Sequence, residues 1–195
     1  MEIIFASQNQ NKIREISALI PEHIQLSGLD VEKYPVFQNE LPETGDTLEA
    51  NALQKARFVF HHTGNACFAD DTGLEIHCLD GRPGVYSARY ASEAKNANEN
   101  IAKILSEMKE SNDRSARFRT VIAYVDGKSE QLFEGFVEGK ISEEQQGEKG
   151  FGYDPVFVPD GFSKTFAQMD LAEKNAISHR ARALKKFADF LESQS

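Results

Sequence analysis

The chain has 195 residues, 40% of them hydrophobic, and carries 22 Lys and Arg against 31 Asp and Glu, a formal net charge of -9. That length suits one domain over residues 1–195, or two tightly joined lobes, with enough apolar content to fold without covalent or metal staples. The acidity, with no basic stripe, excludes a sequence-independent nucleic-acid binder, and no apolar run is long enough to span a membrane. No signal-peptide pattern opens the chain, so the expectation is a cytoplasmic protein acting on a small molecule.

In chain order, Ile3-Ile4-Phe5-Ala6 predicts a short buried strand. The polar stretch Ser7-Gln8-Asn9-Gln10-Asn11 follows. Ile13, Ile16 and Ala18-Leu19-Ile20 then recur with helical spacing until Pro21. Strand, polar turn and helix start form the opening unit of an α/β fold, whose ligands bind at carboxyl ends of strands against helix N-termini. Residues 31–46 lack periodicity and hold Pro35, Pro42 and Gly45, which predicts an exposed loop. Asp46 is the expected N-cap of the next helix, with Glu49 completing a capping box. That helix should run to about Phe60, burying Leu48, Ala52, Ala56 and Val59, with Gly64 closing it.

Ala66-Cys67-Phe68-Ala69 predicts one strand and Leu74 to Cys78 another, followed by a turn at Asp80-Gly81-Arg82-Pro83-Gly84. Lys95 to Met108 contains a helix. Phe118 to Val125 and Gln131 to Val137 predict an antiparallel hairpin around Asp126-Gly127-Lys128. Glu143 to Lys149 reads as polar loop and Val156-Phe157-Val158 as a short strand. Ile177, Ala181, Leu184, Ala188 and Leu191 mark one face of the last helix. The sum is an α/β chain with a mixed sheet, the hairpin being a candidate second lobe.

Several residue groups could carry chemistry. Asp70-Asp71-Thr72-Gly73 ends an apolar strand, and alternation points Asp70 and Asp71 to opposite faces, so one enters a site while the other braces. Gly73 would let the backbone turn; a plain Asx turn is the competing account. Glu43, in Glu43-Thr44-Gly45, is a solvated charge unless it partners Asp71 around a divalent ion. Ser7 to Lys12 lacks the spacing of a P-loop. Its helix-start N–H groups, with Ser7, Asn9 and Lys12, still suit a phosphate chain, unless Asn9 or Asn11 merely caps the helix. Asn51 and Lys55 share a helix face, which reads by default as solvated.

Phe151-Gly152-Tyr153-Asp154-Pro155 offers an aromatic face on a glycine-loosened loop. Glu173 to Arg180 adds three potentially cationic side chains. In one continuous helix His179 and Arg180 would lie roughly 140° and 240° around from Lys174. They could serve one ligand only at a helix end, or if a helix starts after Lys174, with Asp170 or Asn175 as the cap. An aromatic plane beside clustered donors suits a purine nucleotide. Cys67 and Cys78 read as small hydrophobes rather than a disulfide. His61-His62 fits no common zinc spacing.

Together these segments resemble the inosine triphosphate pyrophosphatase family, the non-canonical purine nucleoside triphosphate pyrophosphatases. The likeness runs through Ser7 to Lys12 with Arg14-Glu15, Glu43-Thr44-Gly45, Glu49-Ala50-Asn51-Ala52, Lys55-Ala56 and Ala69 to Leu74. It continues through Pro83 to Tyr90, Gly150 to Pro155 and Glu173 to Arg180. Gln8 and Thr72 depart from it, standing where glycine and serine are frequent.

The resemblance implies an elongated mixed sheet with flanking helices, two lobes around a central cleft, and a homodimer. It implies Mg²⁺-dependent hydrolysis of ITP, dITP and XTP to the monophosphate and pyrophosphate, which clears deaminated purine nucleotides. It carries over Asp71 as proton acceptor and Mg²⁺ ligand, with Glu43 as metal partner. Ser7, Gln8, Asn9, Gln10, Asn11 and Lys12 would hold the triphosphate. Thr72, Phe151, Gly152, Tyr153, Asp154, Lys174, His179 and Arg180 would contact the nucleotide. Arg180, a donor that cannot lose its proton, is the expected reader of the 6-keto group. A pyrophosphatase for pyrimidine or modified nucleotides and a non-catalytic nucleotide sensor are the rival readings.

Overall fold

Glu2–Phe5 forms β1, whose Ile3, Ile4 and Phe5 are buried, in a computed structural model that describes residues 2–194. The chain continues through α1 (Gln10–Ser17), β2 (Gln25–Ser27), α2 (Leu48–Thr63), β3 (Cys67–Ile76) and β4 (Pro83–Gly84). Then come α3 (Ala97–Glu107), β5 (Ser115–Val125), β6 (Glu130–Ile141), β7 (Phe157–Pro159), α4 (Leu171–Ile177) and α5 (His179–Ser193). The sheet order is β2-β1-β3-β5-β6-β7, with β4 beside β3. β1 is parallel to both β2 and β3, while β4 is antiparallel to β3 and β7 to β6. This is the mixed α/β sheet expected from the sequence. Among the described residues, no helix is long and apolar enough to cross a membrane.

The chain divides into two compact units. Unit 1 holds Met1–Asp71, Thr120–Gly135 and Arg180–Ser195; unit 2 holds Thr72–Arg119 and Phe136–His179. The core of unit 1 gathers Ile3, Phe5, Ile16, Phe68, Ile122, Leu184 and Phe187. Phe5 and Phe68 are register partners on neighbouring parallel strands, and their rings stack 4.8 Å apart. The core of unit 2 gathers Leu74, Ile76, Ile101, Ile104, Met108, Phe118, Phe157 and Phe166. Each core draws on sheet and helix faces that cannot bury their apolar sides alone.

Four local expectations are corrected. The predicted pair of strands around Asp70-Asp71 is one ten-residue strand, β3. Charge does not end it, because cationic side chains from elsewhere neutralise both aspartates. Gly73 makes no turn. A Cβ there would lie 2.5 Å from the Gly84 carbonyl oxygen, so glycine is what lets β4 approach β3. The cap of α2 is Thr47, whose Oγ1 accepts from the Ala50 N–H, rather than Asp46. The β5–β6 hairpin is not a lobe, since Thr120–Gly135 belongs to unit 1 and its flanking residues to unit 2.

Other boundaries shift by a few residues. The hairpin turn itself stands as expected, with Asp126 Oδ1 accepting from the Lys128 and Ser129 N–H groups at 2.9 and 2.8 Å. So short a link leaves only antiparallel pairing. Gly64 closes α2 in the left-handed conformation, as expected. β2 went unforeseen, because three residues carry too little pattern to predict a strand. The helix expected from the Ile177 to Leu191 periodicity is interrupted at Ser178, which is extended at φ -67° and ψ 155°.

Candidate active site

In unit 1, the turn from β1 into α1 carries Ser7 to Lys12. Asn9 is the N-cap, its Oδ1 accepting from the Asn11 and Lys12 N–H groups at 3.0 and 3.2 Å. Ser7 Oγ accepts from the Asn9 N–H at 3.2 Å. The turn therefore satisfies several of its own donors, and the capping account of Asn9 holds in this structure. Gln8 reaches sideways, its Nε2 donating to the Phe37 and Asn39 carbonyls at 2.6 and 2.9 Å. It ties the turn to the segment that leads into Glu43. Gln10 and Asn11 open α1.

Lys12 projects onto β3, where its Nζ donates to Asp70 Oδ1 at 3.0 Å. The other carboxylate oxygen of Asp70 accepts from Arg180 Nε at 3.2 Å, and Arg180 Nη1 donates to Glu15. Asp70, Arg180 and Glu15 are all buried. Burial alone would raise the Asp70 pKa, but Lys12, Arg180 and Lys55 together outweigh it and hold the carboxyl well below the usual range. Burial lowers the Lys12 ammonium, against the pull of Asp70.

Asp71, next in the strand, has different company. Its Oδ2 accepts from Asn51 Nδ2 at 3.2 Å and its Oδ1 from Lys55 Nζ at 3.4 Å. Lys55 Nζ also donates to Glu43 Oε1 and, at 2.8 Å, to the Asp70 carbonyl. Burial raises the Asp71 pKa, and Lys55 and Lys12 only partly offset it. The alternation expected of neighbouring strand residues thus gives two aspartates with opposite electrostatics. Asp70 is a charge held by cations, and Asp71 is a carboxyl whose pKa burial raises.

The face of α2 carrying Asn51 and Lys55 is buried rather than solvated. The sequence alone assigns no contact to these two residues or to Glu15. The available signal was polar residues four apart directly beside the apolar stripe of one helix. The Lys55 ammonium bridges the carboxylates of Glu43 and Asp71, which marks that spot as one where a cation is held by hard oxygen donors. No group of three or more His, Cys, Asp or Glu side chains suited to a metal occurs among the described residues. Two carboxylates fit Mg²⁺, which keeps several waters and takes its remaining ligands from substrate phosphates.

Unit 2 holds the other candidates. Thr72 continues β3 and is partly exposed. In the Gly150 to Pro155 loop, Asp154 Oδ2 accepts from the Phe151 N–H at 2.9 Å and from Lys174 Nζ at 2.6 Å. Gly150 permits this, at φ +75°, because a Cβ there would lie 2.1 Å from that same oxygen. Lys174 Nζ sits 4.9 Å from the Phe151 ring centre, a cation–π distance. The break at Ser178 places Lys174 on α4, capped by Asp170, and starts α5 at His179. Of the two helix arrangements open from the sequence, the structure has the one in which a new helix starts after Lys174.

Besides Asp154 and Lys174, which pair with each other, three more expected nucleotide contacts have other partners here. The Tyr153 hydroxyl donates to the Ser87 carbonyl at 2.8 Å, which anchors the loop from within unit 2. The His179 ring is buried and stacks on Phe118 at 4.6 Å. Arg180 is 1% exposed with nitrogens on two carboxylates, which gives no support to its expected role as base reader.

Neither cysteine is in a disulfide. Cys67 is buried, its Sγ donates to the Ala56 carbonyl, and burial pushes its thiol up to about 12. A thiol reagent should therefore label native protein at Cys78 alone and reach Cys67 only on unfolding. Two rapid equivalents in the native state would contradict the burial of Cys67. The shift also has a stability sign. The unfolded thiol ionises near pH 9 while the folded one stays protonated, so this contribution fades as pH rises from about 9 towards 12.

Residues 3–190 match the Ham1 family. The chain is 50% identical over 192 residues to a dITP/XTP pyrophosphatase of Christiangramia forsetii, covering 98% of this chain and 99% of the relative. It is 47% identical over 192 residues to a dITP/XTP pyrophosphatase of Flavobacterium johnsoniae, covering 98% of each. The solved structure of the Staphylococcus aureus Ham1 protein superposes with a TM-score of 0.89 at 37% identity, covering 100% of both chains.

Proposed function

The chain belongs to the Ham1 family, and from that premise we propose that it hydrolyses non-canonical purine nucleoside triphosphates to the monophosphate and pyrophosphate. ITP, dITP and XTP are the substrates this reading names. The observation that carries it is the Glu43 and Asp71 pair sharing one ammonium, with Lys12 held nearby on Asp70. Such a cluster is of little use to a protein that only binds a nucleotide, since binding needs no buried carboxylate ready to accept a proton.

In this reading water attacks the α-phosphorus, the α–β anhydride bond breaks, and pyrophosphate departs. Asp71 orients the water and takes its proton. Lys12, and the donors of the Ser7 to Asn11 turn that capping leaves available, face the negative phosphates. Glu43 and Asp71 would hold Mg²⁺, which when bound neutralises phosphate charge and stabilises the leaving group. Asp70, Arg180 and Glu15 keep Lys12 in place so that no reorganisation is needed during reaction.

For the base, Phe151 offers a stacking plane, and Lys174, a side chain that can only donate, would have to leave its buried pairing with Asp154 to reach it. Hypoxanthine and xanthine present a 6-keto acceptor, whereas adenine presents a donor. A site that presents a donor to the 6-position would favour the keto purines, and mismatch of buried polar groups can discriminate by about 10⁴-fold or more. We also propose a homodimer, a cytoplasmic location and no membrane partner, and, in keeping with the formal net charge of -9, no nucleic-acid partner.

Incubation of ITP with Mg²⁺ should yield inosine monophosphate and pyrophosphate, and thorough chelation should abolish turnover. Inosine diphosphate and orthophosphate as main products would overturn the assignment, as would activity that survives chelation. ATP turned over as fast as ITP would overturn the selectivity.

A further inference from the structure

Asn51 lies one helical turn before Lys55 on α2, and its buried amide has a different partner at each end. Oδ1 accepts from the Gly45 N–H at 2.7 Å, and Nδ2 donates to Asp71 Oδ2 at 3.2 Å. A backbone N–H can only donate and an ionised carboxylate can only accept, so chemistry leaves the amide one orientation. The next turn repeats the device at the adjacent loop residue. Gln54 Oε1 accepts from the Thr44 N–H at 2.8 Å, and Gln54 Nε2 donates to Thr44 Oγ1 at 2.9 Å. Three consecutive loop residues are thus held from α2: Glu43 by Lys55, Thr44 by Gln54 and Gly45 by Asn51.

These links differ in kind. Lys55 joins Glu43 to Asp71 by charge, and a divalent cation between the same carboxylates would compete with it. Gln54 holds the loop but does not touch Asp71. Asn51 alone of the three is a neutral side chain that bonds both the loop and Asp71. Its Asp71 contact uses Oδ2 while Lys55 faces Oδ1, so the two links to Asp71 are separate.

We propose that Asn51 is a positioning residue for the divalent cation, setting the separation of Glu43 and Asp71 and the plane of the Asp71 carboxylate. The proposal rests on the reading of those two carboxylates as the metal partners. A site with only two protein ligands has no third to correct a misplaced one, so loss of this link is felt in metal affinity. Residues that orient metal ligands typically contribute 10- to 100-fold to affinity.

The test is titration of the whole protein with Mn²⁺ alone, followed by electron paramagnetic resonance of the unbound ion. Asn51→Leu keeps the approximate volume and removes both bonds, while Gln54→Ala loosens the loop without touching Asp71. Asn51→Leu should weaken Mn²⁺ binding about 10-fold or more, and Gln54→Ala clearly less. In turnover, the Asn51→Leu defect should be large at limiting Mg²⁺ and shrink as Mg²⁺ is raised, with little change in KM for the nucleotide at saturating metal. If Asn51→Leu does not fold, Asn51→Gln, which displaces the amide by one methylene, makes the same comparison.

Mn²⁺ affinity unchanged in a folded Asn51 variant overturns the proposal. Equal losses in Asn51→Leu and Gln54→Ala also overturn it, since loop anchoring would then be the whole effect. A wild-type protein that binds no Mn²⁺ removes the metal reading itself. A wild type that binds Mn²⁺ but does not hydrolyse ITP leaves this inference testable and removes the proposed reaction.

Discussion

Asp71→Asn is expected to lower turnover of ITP by roughly 10²-fold or more, the scale of losing one preorganised electrostatic element. The amide keeps the shape of the side chain but can neither accept the proton of water nor offer anionic charge to a cation. The fold should survive, and the reason lies in the direction of the pKa shift. Burial raises the Asp71 carboxyl, so the folded protein disfavours its charge, and a neutral amide relieves that cost. Asp70 is shifted the other way, held ionised by Lys12, Arg180 and Lys55. Asp70→Asn should therefore lower the melting midpoint where Asp71→Asn does not. The pair of variants, compared by thermal melt and pyrophosphate release, separates the reacting carboxylate from the bracing one. Near-normal turnover in folded Asp71→Asn would overturn its assignment as the base.

The second large effect is expected at Arg180. Arg180→Ala leaves Asp70 and Glu15 buried without the guanidinium that joins them, and breaking a buried pair from one side costs about 3–5 kcal/mol. In a chain of this size that corresponds to a fall in melting midpoint of about 6–20 °C. Arg180→Lys should recover only part of it, because one ammonium cannot reproduce two planar donors aimed at separate carboxylates. A melting midpoint within a degree or two of wild type would show that the network contributes nothing.

The same network has a pH signature. The Asp70 carboxyl is depressed in the fold, so its contribution is complete above the range where an unfolded aspartate titrates, about pH 4. It is lost as pH falls below that. Asp70→Asn should flatten the acid side of a stability-against-pH curve. An unaltered acid limb in that variant would mean that Asp70 does not carry the dependence.

Local pattern carried much of this protein. β1 and the helix behind it were legible because apolar runs and helical spacing are properties of neighbouring residues. So were Gly64 at the end of α2 and the Asp126 turn, while of the core face of α5 only Leu184 and Leu191 were read, Ala183 and Phe187 being missed. The segments proposed as the site, around Ser7 to Lys12, Asp71, Phe151 to Asp154 and Lys174, were singled out from residue types in short windows. Boundaries were less legible where two adjacent residues could each do one job, as Asp46 and Thr47 could each cap α2.

What only the tertiary structure decided were matters of distant pairing. Arg180 meets Asp70 across 110 positions and Glu15 across 165. No window contains those residues together, so Arg180 looked available for a base while its charge was already spoken for. Lys55 and Asn51 looked like a solvated face because polarity alone does not say whether buried partners await. β3 runs unbroken through two aspartates for the same reason. A charge ends a strand only if nothing neutralises it, and the neutralising groups come from α1, α2 and α5. Sequence by itself specified which residue types the chain carries; the fold decided which of them pair, Arg180 with Asp70 and Glu15, Lys55 with Glu43 and Asp71.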